Sequence, residues 1–229
     1  MASTYNFLKS LERLDLRLNA QMDIKYLPVI PSYNECGTQG SLFVYGTVVA
    51  VRFCLSEENL NISETKAVKT LECFVSEVCE IFRSNQSCRD VIVSDSMITT
   101  VYNTSMKTEI NGLLDDMAMV RSIAAVISKK AELGNKQITV KLAACYDKLS
   151  MSVVEARNAY KQYLWRGDAI NKAYKLSDKA RDGSILLNKV VWNNLTDANQ
   201  KLFELNSIFE EVYEGRIVNI AMNNWLDSK

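Results

Sequence analysis

The chain has 229 residues, 48% of them hydrophobic and only 2 of them proline, which is enough apolar material for a full core in one domain and too much for a disordered chain. Lys plus Arg and Asp plus Glu both number 27, so no basic excess draws the chain to nucleic acid. Histidine is absent, which excludes Ser/His and Cys/His hydrolases, His-ligated metals and histidine acid–base catalysis, and leaves chemistry to carboxylates, lysines, amides, hydroxyls and a carboxylate-bound metal. The 6 cysteines contain no Cys-x-x-Cys pair and most fall in apolar periodic segments, the pattern of reduced core thiols rather than of a zinc site. No apolar run approaches the length of a membrane span, and residues 1–17 carry charges where a signal peptide would be apolar. The expectation is a cytoplasmic protein with neither a membrane nor a nucleic-acid partner.

In chain order, Phe7, Leu8, Leu11, Leu14 and Leu18 recur mostly at spacings of three and four, which predicts an amphipathic helix over 4–24, packed on the body or on a partner subunit. Pro28, Pro31, Ser32, Asn34, Gly37 and Gly40 then read as a surface loop over 26–40. Residues 1–40 are thus an N-terminal helix and loop ahead of a domain at 41–229. The β-branched run 41–55 is the candidate central buried strand, with Arg52 unexpected near its end. Ser63 and Glu64 open a helix to about 84, with Ala67, Leu71, Phe74, Val78 and Ile81 as its buried stripe. Two short runs, 90–93 and 97–102, flank Ser94-Asp95-Ser96 as a hairpin with an aspartate at its tip.

A second long helix is predicted over 107–132, closed by Gly134-Asn135. Within it the Asp115-Asp116 pair reads as solvent-exposed, and Met117 to Met119 as core or dimer surface. A strand at 138–145, a connection and a further β segment at 150–164 follow. A helix over 168–181, an Asp182-Gly183 turn, a strand at 185–187 and helical segments over 188–205 come next. The end reads as a hairpin, 208–213 and 216–222, turning at Glu214-Gly215. This order predicts an α+β fold: a mostly antiparallel sheet with helices packed on it.

The most informative stretch is 163–177. An aromatic run stops at Gly167, Asp168 is placed to accept from free amides of a first helical turn, and Ile170, Ala173, Tyr174 and Leu176 fall mainly at helical spacing. Asn171 and Lys175, four apart, point the same way from that helix. An amide and an ammonium on one face suit a phosphorylated ligand; two solvated polar residues on an exposed stripe satisfy the same spacing.

The segment 165–176, followed by Ala180-Arg181-Asp182-Gly183-Ser184-Ile185-Leu186-Leu187 and Leu195, resembles the Gly-Asp-x-Val-Asn-x-Ala-x-Arg-Leu signature of class III nucleotide cyclases. The element order from 41 to 222 is similar to that of the cyclase homology domain, a ferredoxin-like fold. Among its branches the resemblance is to the bacterial antiphage pyrimidine cyclases, which make cUMP or cCMP. It rests on a short domain, a lysine at the signature's arginine and an N-terminal helix with a Pro-Ser loop. The resemblance implies a homodimer with shared active sites that converts a nucleoside triphosphate to a 3′,5′-cyclic monophosphate and pyrophosphate with divalent metal, Mn or Mg. It also implies that Asn171 orients the ribose, Lys175 stabilises charge on the reacting phosphate, Asp95 is a metal-binding aspartate and Arg216 holds the triphosphate. At the base-reading position stands Leu164, which offers no hydrogen bond.

One departure is large. Where the resemblance implies the first metal-binding aspartate, near 51 and 52, the sequence has Val51 and Arg52. A pair of divalent ions needs two carboxylates to activate the nucleophile and neutralise the leaving group. A carboxylate from Glu57, Glu58 or Asp90 is the candidate substitute, though nothing in the spacing recommends one of them. The alternative expectation is therefore a cyclase-homology domain that binds nucleotide or a partner chain without turnover.

Overall fold

The computed structural model describes residues 6–19, 24–31, 41–55, 63–133, 137–155 and 161–228. The fold is α+β, as the sequence predicts. A nine-stranded sheet runs β3-β4-β2-β5-β7-β9-β8, with β1 on β2 and β6 on β5. Its strands are β1 (Ile24–Tyr26), β2 (Ser41–Leu55), β3 (Cys88–Ser94), β4 (Met97–Tyr102), β5 (Ile138–Glu155), β6 (Lys161–Gly167), β7 (Ile185–Asn188), β8 (Phe203–Leu205) and β9 (Val212–Gly215). All pairings are antiparallel except β1 with β2 and β5 with β7.

Strand alternation divides the core in two. From β2, Val49, Val51 and Phe53 enter one cluster together with Phe74, Val78 and Phe82 of α2 (Glu64–Ser84) and Leu113, Met117 and Val120 of α3 (Lys107–Lys130). Val48 and Ala50 enter a second cluster on the opposite face, with Ala169, Ile170, Ala173 and Leu176 of α4 (Asp168–Lys179). Two helices thus cover one face and α4 covers the other. The side chain of Ser63 caps α2 by accepting from the Lys66 amide at 3.3 Å. The rest of the chain forms α1 (Phe7–Asn19), α5 (Lys189–Asn193), α6 (Asp197–Gln200) and α7 (Ile220–Asp227). No helix among the described residues is long and apolar enough to cross a membrane.

Several expectations are corrected. The first helix ends at Asn19, and 24–26 form a strand rather than the start of a loop. The expected break after Cys145 is absent, and β5 runs unbroken to Glu155 because its polar residues are satisfied in place. The Asp147 carboxylate accepts from the Lys172 ammonium and the Lys148 amide, and the Lys148 ammonium lies 4.5 Å over the Phe43 ring. Glu214-Gly215 is not a turn but the end of β9. Glu214 is fixed there by Arg181 and Asn206, and a Cβ on Gly215 would lie 2.7 Å from the Phe203 ring on the paired strand. The turn lies before it, where Asn206 Oδ1 accepts from the amides of Ile208 and Phe209, and Ile220–Asp227 is helical. The Gly134-Asn135 stop and Cys36 lie outside the described residues. Among the other cysteines Cys79 and Cys145 are buried, Cys88 is half-buried, and Cys54 and Cys73 are exposed.

Asp115 is exposed as expected, but Asp116 is not, being 4% exposed beneath α2. Its Oδ2 accepts from the Tyr102 hydroxyl at 2.8 Å and from Asn85 Nδ2 at 2.7 Å. Burial raises its pKa to about 6 against the lowering effect of both hydrogen bonds. The folded state therefore holds this proton more tightly than the unfolded chain. The term disfavours folding once Asp116 ionises, growing as pH rises from about 4 through 6. Asp116→Asn keeps a carbonyl oxygen for both donors and removes the charge. In denaturant melts the variant should match wild type near pH 4 and exceed it above pH 6.5, by on the order of 2–3 kcal/mol. A pH-independent difference would refute this account.

Candidate functional site

The site begins where β6 hands over to α4. Gly167 pairs with Leu149 of β5, with φ +135°, and a Cβ there would sit 2.5 Å from the Lys148 carbonyl oxygen. Only a residue without a side chain lets the strand pass this close and turn into a helix. Gly167, not Asp168, is the N-cap, and no side chain bonds the free amides. Asp168 is the first helical residue, exposed, where its charge opposes the positive helix terminus. The expected cap is thus displaced by one residue, because the handover itself occupies the capping position.

With its apolar stripe buried, α4 presents Asn171 and Lys175 on its exposed crest. Neither side chain has a hydrogen-bond or ion-pair partner among the described residues. The two flanks differ. On one, Tyr174 Oη accepts from Thr99 Oγ1 at 3.1 Å, and Asp178 Oδ1 lies 3.6 Å from Arg52 Nε. On the other, Lys172, Lys175 and Lys179 line a cavity of about 760 Å³ with Tyr45, Tyr146 and Phe209. Within it Lys172 pairs with Asp147. Burial would push the Asp147 carboxyl up, but the bonds from Lys172 and from the Lys148 amide outweigh it and hold it below the usual range.

Asp95 stands at the β3–β4 tip as expected, exposed and in the left-handed region with φ 44°. The Ser96 hydroxyl donates to its carboxylate at 3.4 Å, and the Ser96 carbonyl accepts from the Phe53 amide at 3.0 Å, tying the tip to the end of β2. Arg52, paired in register with Met97, points to the α4 face and toward Asp178. Near the place of the expected first carboxylate, the α4 face of β2 thus carries a guanidinium, while Val51 faces the other side and is buried. Asp90 is engaged elsewhere: its Oδ2 accepts from Trp165 Nε1 at 2.7 Å and its Oδ1 from the Val91 amide. Glu57 and Glu58 lie outside the described residues. No group of three His, Cys, Asp or Glu side chains that could hold a metal occurs among the described residues. The carboxylates among the described residues of one chain do not fit a pair of divalent ions.

Arg216 follows β9, exposed, on a second cavity of about 540 Å³ that also carries Lys179, Lys201 and Phe209. Lys175 and Arg216 thus face adjoining cavities that share Lys179 and Phe209. Asp95 belongs to the other flank of α4. Leu164, on β6, is 43% exposed. Sequence reasoning passed over Lys179, although its spacing from Lys172 and Lys175 was readable as one helical stripe. No sequence signal points to Lys201, which reaches the site only through the packing of β8 and β9.

The chain matches no protein-family model, and no curated protein matches it in sequence. Solved structures do resemble it. The guanylyl cyclase Cya2 superposes with a TM-score of 0.60 at 8% identity, over 78% of this chain and 94% of that one. The adenylyl cyclase CyaB from P. aeruginosa gives 0.59 at 10% identity, over 77% and 96%. A class III adenylyl cyclase-like ATP-binding protein from Pseudomonas aeruginosa gives 0.66 at 11% identity, over 94% of this chain and 48% of that one. The fold is that of class III cyclase domains.

The handover at Gly167 sets the position of the whole crest. Gly167→Ala should lower the melting temperature sharply, by a free energy of at least about 2 kcal/mol, because both the contact and the backbone angle oppose a methyl group. A variant that melts with wild type would show that the close approach does not position α4.

Proposed function

We propose that this chain is a nucleotide cyclase. It would act as a homodimer on a nucleoside triphosphate, a pyrimidine one, giving the 3′,5′-cyclic monophosphate and pyrophosphate. The observation that carries the reading is the α4 crest: Asn171 and Lys175, unpartnered and one turn apart, with the ammonium on a cavity of about 760 Å³. The shared fold with Cya2, a guanylyl cyclase, and CyaB, an adenylyl cyclase, supports it.

In this reading Asn171 orients the ribose. Lys175 takes up negative charge on the α-phosphate as the 3′-oxygen attacks and pyrophosphate departs, and Arg216 holds the departing phosphates. Lysine supplies the charge without arginine's paired hydrogen bonds, so its aim is looser. The divalent ion, Mg²⁺ or Mn²⁺, arrives with the triphosphate as part of the substrate, and Asp95 is the carboxylate available to it. Leu164 offers no hydrogen bond to any base, so selection of a purine by a carboxylate at that position is not supported, and the pyrimidine reading rests on the sequence resemblance. Use of the product, cUMP or cCMP, as a second messenger in antiphage defence rests on the sequence resemblance alone.

Two observations support a homodimer. Lys175 lines the larger cavity, whereas Asp95, at the β3–β4 tip tied to the end of β2, lines neither cavity, so one ligand meets both more readily from two copies. In addition, α1 exposes Phe7, Leu11, Leu14 and Leu18, from 41% to 80%, at spacings of four, three and four, the seam of a coiled-coil partner.

Arg52 favours a second reading, nucleotide binding without turnover. A guanidinium near Asp95 supplies positive charge to a polyphosphate but does not activate a hydroxyl as a metal pair does.

Incubation with each of the four nucleoside triphosphates and Mn²⁺ should yield a cyclic product and pyrophosphate, with Lys175→Ala reducing kcat roughly 10²–10³-fold. No product, with nucleotide still raising the melting temperature, selects the second reading. No product and no shift removes both. Arg52→Asp restores the second carboxylate, and turnover in Mn²⁺ should rise; an unchanged rate would mean that the β2 end does not border the reacting phosphates.

A further inference from the structure

We infer that Lys179 and Lys201 extend the α4 crest into a continuous polyphosphate track joining the two adjoining cavities, so that the triphosphate lies from Lys175 past Lys179 to Lys201 and Arg216. This rests on the reading of the crest as a nucleotide site and adds two binding residues to it.

The argument starts from which charges are paired. In these cavities Lys172 is held by Asp147, Lys189 by Glu211, and Arg181 by Glu214, the last through two contacts at 2.8 and 2.9 Å. Lys175, Lys179, Lys201 and Arg216 have no carboxylate partner among the described residues, although Glu204 and Glu210 line the same cavities. Four like charges along one depression repel each other, and the chain pairs their neighbours while leaving them open. A polyanion lying along the depression removes that repulsion.

Continuity is the second observation. Lys179 and Phe209 line both cavities, so the 760 Å³ and 540 Å³ spaces meet at the last turn of α4. The larger has an aromatic rim, Tyr45 stacked on Tyr146 at 6.1 Å, and the smaller has the cations Lys201 and Arg216. This polarity orders the ligand: an organic portion on the Tyr146 side and the terminal phosphates on the Lys201 side. Burial, and after it the charge of Arg216, hold the neighbouring Arg121 below its ordinary pKa.

The test uses the intact chain and calorimetry with inorganic tripolyphosphate, which has no ribose and cannot be cyclised. Wild type should bind it, more weakly as salt rises, and a nucleoside triphosphate should compete. Lys179→Gln and Lys201→Gln should each weaken binding about tenfold, while Lys9→Gln on α1 should not. Melting curves check that the variants are folded, and Lys201→Arg should restore binding where Lys201→Gln loses it. Absence of tripolyphosphate binding, or binding indifferent to both lysines, overturns the inference. Cyclic product formed by both variants with unchanged KM overturns it while leaving the cyclase reading intact. Binding that depends on these lysines without any cyclic product keeps the track and removes the cyclase reading.

Discussion

The arrangement of the site depends on one close backbone approach. Along one edge β5 pairs with β2 for nearly its full length, while its other edge is divided between β7, at Leu142 to Ala144, and β6, from Leu149 onward. At the division Gly167 passes so near the Lys148 carbonyl that no Cβ fits, and the chain leaves the sheet there to become α4. Because α4 starts at a fixed point on β5, its buried stripe lands on Ala143 and Cys145, and its crest and both flanks follow from helix periodicity. The same division gives β7 room beside β5. The hairpin β8–β9, and with it Lys201 and Arg216, are then built on β7.

The two flanks of α4 have opposite electrostatic characters. On the hairpin side Arg52 faces Asp178 at 3.6 Å, with both side chains more than a third exposed or close to it, 35% and 65%. Such a pair contributes at most about 1 kcal/mol, so a phosphate could take Asp178's place at little cost. On the cavity side the cations outnumber the carboxylates that hold them. A polyanion approaching α4 is therefore drawn toward the cavities, and toward Arg52 only after displacing Asp178.

Much of this was legible in the sequence, in particular ways. Periodicity located α2, α3 and α4, each of which buries one stripe, and β2 showed as a continuous apolar, β-branched run because it is buried on both faces. Asn171 and Lys175 were readable as a facing pair, since four residues is a helical turn. Polarity misled at Asp147-Lys148 and at Glu214-Gly215. In both places a charged residue sits inside a strand because a partner distant in sequence satisfies it, Lys172 in one case and Arg181 in the other. Asp116 was missed for the same reason: its partners Tyr102 and Asn85 come from other elements, and adjacency to Asp115 suggested solvent. Arg52 was conspicuous in the sequence, but its pairing with Asp178 depends on α4 crossing the end of β2. No single-chain pattern carries that.

Arg52 and Lys175 can be taken together. The resemblance implies a carboxylate on β2 and an arginine on the helix; here the guanidinium stands on β2 and the helix carries an ammonium. Total positive charge near the phosphates is thereby raised and metal-binding capacity lowered. Both changes favour holding a polyphosphate, since fixed cations offset its charge without recruiting ions. They do not equally favour the chemical step, in which the 3′-hydroxyl must lose a proton as it attacks. With Asp90 held by Trp165 and the Val91 amide, the more loosely held carboxylate of the hairpin is Asp95, which accepts only from the Ser96 hydroxyl among the described residues. In the proposed reaction phosphate charge is met by several side chains, whereas Asp95 is the carboxylate proposed for whatever ion the nucleotide carries with it. If the proposed cyclisation takes place, its limit would lie with activation of the nucleophile rather than with the leaving group.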